Sequence, residues 1–268
     1  MPNSKQPGKL PRKLSIHKMI PNLITLTAMA AGMSSVKFAI AGRWEAAVIA
    51  IVVAAFMDAF DGAAARLLKA QSKLGAELDS FSDFLCFGVA PALVLYLWSL
   101  QDHARWGWPV ALIFAMSVAL RLSRFNIVAD EKEKDPTASK HFTGVPSPLG
   151  AGLAILPMIV SFQVDDQTAA IVRHYNVIEA WSMIVAAMMV SHIPTFSSKQ
   201  IRIPYKMKVP ALAAFGILIA GIINLTWLTL TLMGVVYLLS LPFGVRHQAR
   251  QEKAQQDGKP SGDDDGEE

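Results

Sequence analysis

The chain has 268 residues, 53% of them hydrophobic and only 17% charged, with a mean hydropathy of +0.36 and a net charge of +4. Soluble domains carry roughly 25% charged residues, so the composition argues against a water-soluble globule and for a membrane protein. The single cysteine, Cys86, excludes an intrachain disulfide and a two-cysteine metal site, and no nucleic-acid partner is expected.

In chain order, residues 1–15 form a basic cytoplasmic segment. No A-x-A-like cleavage site follows a short apolar core, so the first apolar run reads as a retained span. A helix needs about 20 mostly apolar residues to cross the hydrocarbon core. Runs of that kind lie near 20–41, 45–65, 76–100, 107–128, 145–164, 175–194, 208–224 and 226–244. They predict an all-α polytopic helix bundle of about eight transmembrane helices, occupying residues 16–245. The last two runs are separated only around Asn224, so seven is the competing count. Residues 246–268, nearly free of bulky apolar side chains, read as a disordered cytoplasmic tail.

Lysine and arginine set the orientation. With alternating spans and a cytoplasmic N-terminus, 21 of the 25 fall on the cytoplasmic side; only Lys37, Arg43, Arg105 and Arg173 fall opposite. Eight spans with both termini inside therefore fit best.

One stretch breaks the apolar pattern: "DAFDGAAARLLKAQSKLGAELDSFSDF", residues 58–84. Asp58 and Asp61 stand i, i+3 near the cytoplasmic end of the second helix. Asp79 and Asp83 stand i, i+4 near the start of the third, so each pair shares one helical face. A short turn brings the two faces together. Four converging carboxylates require protonation or a multivalent cation, and hard oxygen ligands suit Mg2+ or Mn2+. Four aspartates are enough for two such ions. Gly62 and Gly75 permit close approach of a substrate or backbone, and Arg66 offers a planar fork for phosphate oxygens. Carboxylate-held metals beside such an arginine describe phosphoryl transfer. Interhelical salt bridges to Arg66, Lys69 and Lys73 are the structural alternative, although ionisable groups inside membranes are usually functional.

The spacing Asp58-x2-Asp61-Gly62-x2-Ala65-Arg66-x8-Gly75-x3-Asp79-x3-Asp83 resembles the complete signature of the CDP-alcohol phosphotransferases. The resemblance implies a six-helix catalytic core, a dimetal site and transfer of a phosphatidyl group from CDP-diacylglycerol to an alcohol with release of CMP. It implies that Asp58, Asp61 and Asp79 hold metal, and that Asp83 holds metal and serves as general base. Gly62, Arg66 and Ser72 would contact the CDP portion, and the "PNLIT" element would place Asn22 and Thr25 beside it. The resemblance also implies a homodimer in a bacterial-type inner membrane.

The acceptor has to be read from other positions. Relatives using glycerophosphate tend to carry proline after the third aspartate and lysine after the fourth; here stand Ser80 and Phe84. The stretches "GAELDSFSDFLCFGVAPA", "LRLSRFN" and "FTGVPSPLGAG" resemble bacterial membrane-spanning phosphatidylserine synthases, implying L-serine as acceptor. A serine carboxylate calls for a fixed cation, and Arg121 and Arg124, i, i+3 at the cytoplasmic end of the fourth helix, are the candidates; snorkelling to headgroups is the alternative. Glycerol 3-phosphate, inositol phosphate and choline are rival acceptors. A cation transporter is the rival of another class; it would place carboxylates near the midplane on repeated broken helices.

Overall fold

The computed structural model describes residues 16–68, 70, 72–134, 145–191 and 208–240. Among these residues every regular element is helical. The expected N-terminal segment, Lys69 and the charged tail lie outside the described residues.

Helix α1 (Ile16–Ile40) and helix α2 (Trp44–Leu67) pack along their length as a hairpin. Their tight turn needs Gly42 at φ 69°, the left-handed region open to glycine. The Gly42 and Arg43 amides close the end of α1 by donating to Ala39 and Phe38 carbonyls, each at 2.9 Å.

Helix α3 (Lys73–Asp83) continues through a π-helical segment, Phe84–Val89, into α4 (Ala90–Trp98). Together these make one 26-residue apolar span, Lys73–Trp98. The π-helical segment lies at the centre of the bundle. Cys86 on it is buried, with its Sγ 3.4 Å from the Ala28 carbonyl oxygen. Gly32 of α1 admits it, since a Cβ there would meet Cys86 Sγ at 2.5 Å. Cys86 is thus a packing residue, as its apolar setting suggests.

Helix α5 (Gly107–Lys134) packs on the other side of the π-helical segment and against α9 (Tyr175–Val190). Phe87, Leu95, Phe114, Leu153, Met158 and Ile178 are among the large side chains fully enclosed between these elements.

Among the described residues four helices are long and apolar enough to cross a membrane: Met19–Ile40, Trp44–Leu67, Lys73–Trp98 and Gly107–Val128. Tyr175–Val190 and Thr226–Ser240 are shorter apolar helices. The apolar run at 145–164 is not one continuous helix but two, α6 (Ser147–Ala154) and α7 (Leu156–Ser161). The break falls at Ile155, just ahead of Pro157, whose ring removes an amide donor and clashes with a continuing turn. Large apolar side chains face outward along the bundle, including Leu23, Phe56, Phe81, Met116, Ile184 and Val236. A contiguous belt of this kind is tolerated against lipid rather than water.

The end of the bundle remote from the aspartates is closed by polar clasps. His103 Nδ1 meets Glu179 Oε1 at 2.6 Å, and Arg173 Nε donates to the Trp98 carbonyl at 2.8 Å. Helix α8 (Asp166–Arg173) is capped by Asp165, whose Oδ2 accepts from the Thr168 amide at 3.0 Å. That amide and the Thr168 hydroxyl hold the Asp165 carboxyl below the usual aspartate range. The chain then continues through α10 (Lys208–Asn224) and α11 (Thr226–Ser240).

Candidate active site

Asp58 and Asp61 leave the last turns of α2, and Asp79 and Asp83 leave α3. One carboxylate oxygen from each of Asp58, Asp61 and Asp79 lies within 4.8 Å of the others, a spacing that could hold a metal ion. Asp83 stands in hydrogen-bond contact with Asp58. Two carboxylates at that distance need a proton or a cation between them. Among the described residues no lysine or arginine lies within ion-pair distance of any of the four, so the salt-bridge alternative is not realised there. Asp61 Oδ2 and Asp83 Oδ1 are buried without a hydrogen-bond partner among the described residues. Buried polar atoms are seldom left so; orphaned anionic oxygens facing a cluster of acidic ligands fit hard divalent cations.

Local sequence explains the geometry. Ser72 has an extended backbone and its Oγ accepts from the Gly75 amide at 3.0 Å, capping α3. This cap aims the first turn of α3 back at α1. A Cβ on Gly75 would sit 3.0 Å from Asn22 Oδ1 and 3.1 Å from Ser72 Oγ. Glycine is therefore required there to keep both polar groups against the helix.

Beneath the cluster lies a cavity of about 310 Å3, within the roughly 300–1,000 Å3 range of small-molecule sites. Asn22 and Thr25 line it from α1, Asp61, Gly62 and Ala65 from α2, and Ser72, Gly75 and Asp79 from the turn and α3. Thr25 is buried; its hydroxyl reaches the Pro21 carbonyl at 3.0 Å and lies beside Asp61. Arg66 is exposed and does not line the cavity, but its Nη1 stands 3.6 Å from where a Gly62 Cβ would be. It sits over the rim. The signature residues and the two α1 residues, far apart in sequence, thus converge on one cavity and the acidic cluster above it.

The two arginines of α5 separate. Arg121 is half-buried, donates from Nη1 to Ser147 Oγ at 2.5 Å, and lies within electrostatic range of Asp83. Arg124 is exposed and donates from Nη1 to the Val190 carbonyl at 2.6 Å. Val190 ends α9, so Arg124 satisfies a terminal helix carbonyl. Two site neighbours carry no individual signal in the sequence. Ser147 sits between Pro146 and Pro148 and is visible only as helix-start punctuation; Tyr237 lies in the apolar last helix.

A family model described as CDP-alcohol phosphatidyltransferase matches residues 18–191, covering all of the signature and the arginines of α5. The chain belongs to the CDP-alcohol phosphatidyltransferase family. A second model, CDP-alcohol phosphatidyltransferase 2, matches residues 206–242. A CDP-diacylglycerol--serine O-phosphatidyltransferase of Mycobacterium tuberculosis is 33% identical over 86% of this chain and 79% of its own length. One from Bacillus subtilis is 39% identical over 53% of this chain and 75% of its own. An archaetidylserine synthase of Methanothermobacter thermautotrophicus is 31% identical over 52% of this chain and 58% of its own. The protein is accordingly a phospholipid-synthesis transferase with membrane helices.

Proposed function

We propose that this chain transfers the phosphatidyl group of CDP-diacylglycerol to the hydroxyl of L-serine, giving phosphatidylserine and CMP. The observation that carries the reading is the placement of Arg121, fixed by Ser147 and beside Asp83. In this reading Arg121 serves as the cation for the serine carboxylate and Asp83 as the base for the serine hydroxyl. The positions that follow the third and fourth aspartates support an acceptor without phosphate. Ser80 accepts from Asn126 Nδ2 at 3.0 Å, and Phe84 packs inward; neither offers a charge to a phosphorylated acceptor.

The nucleotide binds in the cavity under the cluster, against Asn22 and Thr25 of α1 and Gly62, Ser72 and Gly75 of the signature, with Arg66 over its pyrophosphate and the acyl chains in lipid. Ala65 keeps the wall low. Two divalent cations, Mg2+ or Mn2+, held by Asp58, Asp61, Asp79 and Asp83 would neutralise the pyrophosphate and stabilise charge building on the leaving CMP. Asp83 takes the proton from the serine hydroxyl. The serine oxygen bonds to the phosphorus bearing diacylglycerol, and the bond from that phosphorus to the CMP oxygen breaks. Arg66 stabilises the departing phosphate, while Arg121 holds the serine carboxylate and fixes the attacking oxygen. Arg124 contributes through the fold of this face.

The transferase occupies residues 16–245 as an eight-span bundle with a six-helix catalytic core. Residues 1–15 and 246–268 face the cytoplasm, the bundle sits in a bacterial-type inner membrane, and two copies associate. Cysteine accessibility at engineered positions in residues 1–15 and 246–268 tests the topology, and crosslinking in vesicles tests the dimer. An acceptor assay with purified protein and labelled CDP-diacylglycerol tests the reaction: serine should drive equimolar CMP release and lipid formation.

A further inference from the structure

Three buried polar atoms, each from a different helix, have no hydrogen-bond partner among the described residues: Asp83 Oδ1 of α3, Arg121 Nε of α5 and Tyr237 Oη of α11. Arg121 lies within electrostatic range of both Asp83 and Tyr237. Its Nη1 is spent on Ser147 Oγ, which anchors the guanidinium and leaves Nε–H for another partner. An unpaired buried polar group costs free energy that native structures seldom leave uncompensated. Linked through Arg121, this one acceptor and these two donors match the polar groups of a ligand in negative.

Helix α11 is held against α7 and the residues that follow it by three contacts. Trp227 packs edge-on against Phe162 with ring centroids 4.8 Å apart. Thr231 Oγ1 accepts from Gln163 Nε2 at 2.8 Å. Gly234 lies so close to Leu156 that a Cβ would meet its side chain at 2.8 Å. Tyr237, one turn on, packs its ring against the main core, which leaves only the hydroxyl for recognition. Tyrosine buried with an unpaired hydroxyl is otherwise a poor substitute for phenylalanine.

We propose that Tyr237 is an acceptor-specificity residue: its hydroxyl and Arg121 Nε–H together bind the carboxylate of a small zwitterionic acceptor whose own hydroxyl faces Asp83. The assignment rests on the serine reading given above and deepens it. It makes α11, which lies within the second matched family region, residues 206–242, a wall of the acceptor subsite. The carboxylate is selected by two donors in fixed positions, so an amino alcohol lacking it leaves both unpaired.

The test is steady-state kinetics on full-length protein in lipid nanodiscs, with labelled CDP-diacylglycerol and Mn2+, for wild type, Tyr237→Phe and Ser147→Ala. Tyr237→Phe should raise the KM for serine at least ten-fold and leave the KM for CDP-diacylglycerol within two-fold of wild type. It should also shrink the preference for serine over ethanolamine by a similar factor. Ser147→Ala, which loosens Arg121, should move the serine KM in the same direction by about three-fold. Wild-type serine turnover with an unchanged serine KM in both variants would overturn this inference and leave the proposed function standing. A wild type that releases no CMP with serine would overturn the proposed function and this assignment with it. If Tyr237→Phe does not assemble, an unchanged serine KM in Ser147→Ala alone counts against the subsite.

Discussion

Replacing Gly75 with alanine separates stability from nucleotide binding, and the structure sets the sign of each. The new Cβ would stand 3.0 Å from Asn22 Oδ1 and 3.1 Å from Ser72 Oγ, where relaxed contacts between heavy atoms run at about 3.5–4.0 Å. Both neighbours are side chains, so they yield by a few tenths of an ångström and the backbone stays. Alanine inside a helix is favoured over glycine by about 0.5–1 kcal/mol, which offsets the crowding and a weakened Ser72 cap. The melting temperature should therefore stay near wild type. The displaced groups, however, line the cavity proposed to hold the nucleotide. Misaligning one hydrogen bond from each, at about 1 kcal/mol apiece, weakens donor binding by about ten-fold or more. The assay is KM for CDP-diacylglycerol at saturating serine, KM for serine at saturating donor, and thermal unfolding in the same detergent. A large rise in donor KM alone is expected. An unchanged donor KM, or a rise confined to serine, would show that Asn22 and Ser72 do not hold the nucleotide.

Further outcomes follow from the same geometry. Asp83→Asn keeps the shape of the site but removes the proposed base, and should lower kcat by roughly 10^2–10^4 while labelled CDP-diacylglycerol still binds in a filter assay. Arg121→Lys should raise the serine KM because a point charge cannot keep both the Ser147 anchor and a free Nε–H; Arg124→Lys, measured alongside, should leave it within about two-fold. Asp165 contributes to the end opposite the site. Its carboxyl is held low by Thr168, so its contribution is complete above the ordinary aspartate value of about 3.9. It fades as pH falls through the lower folded value. Asp165→Asn should therefore flatten the acid end of a stability–pH profile and leave neutral activity unchanged.

Much of the site is legible in residues 58–83, because helical spacing alone decides which carboxylates share a face. The spacings i, i+3 and i, i+4 pair Asp58 with Asp61 and Asp79 with Asp83, and the short turn between the helices leaves the two pairs only one way to meet. The sequence also shows the long apolar runs that become α1, α2 and α5. It does not show the π-helical segment after Asp83, whose wide turn depends on Cys86 fitting against Gly32 of α1. Nor does hydropathy reveal the break at Ile155 within the 145–164 run, although Pro157 hints at it. Arg121 and Arg124 look equivalent at i, i+3, yet Ser147 claims one and the end of α9 claims the other. Tyr237 escapes sequence reading altogether. Its significance comes from an orphaned hydroxyl, and orphaning is a property of the packed bundle.

Serine as the acceptor is the point on which the proposed chemistry of this CDP-alcohol phosphatidyltransferase turns. The most direct measurement is product formation by the purified protein in nanodiscs with labelled CDP-diacylglycerol, comparing serine, glycerol 3-phosphate, inositol phosphate and choline. Serine should give phosphatidylserine and CMP in equal amounts, and the other three at most trace lipid product. A higher kcat/KM for any of the three, or CMP release that does not respond to serine, would contradict the assignment.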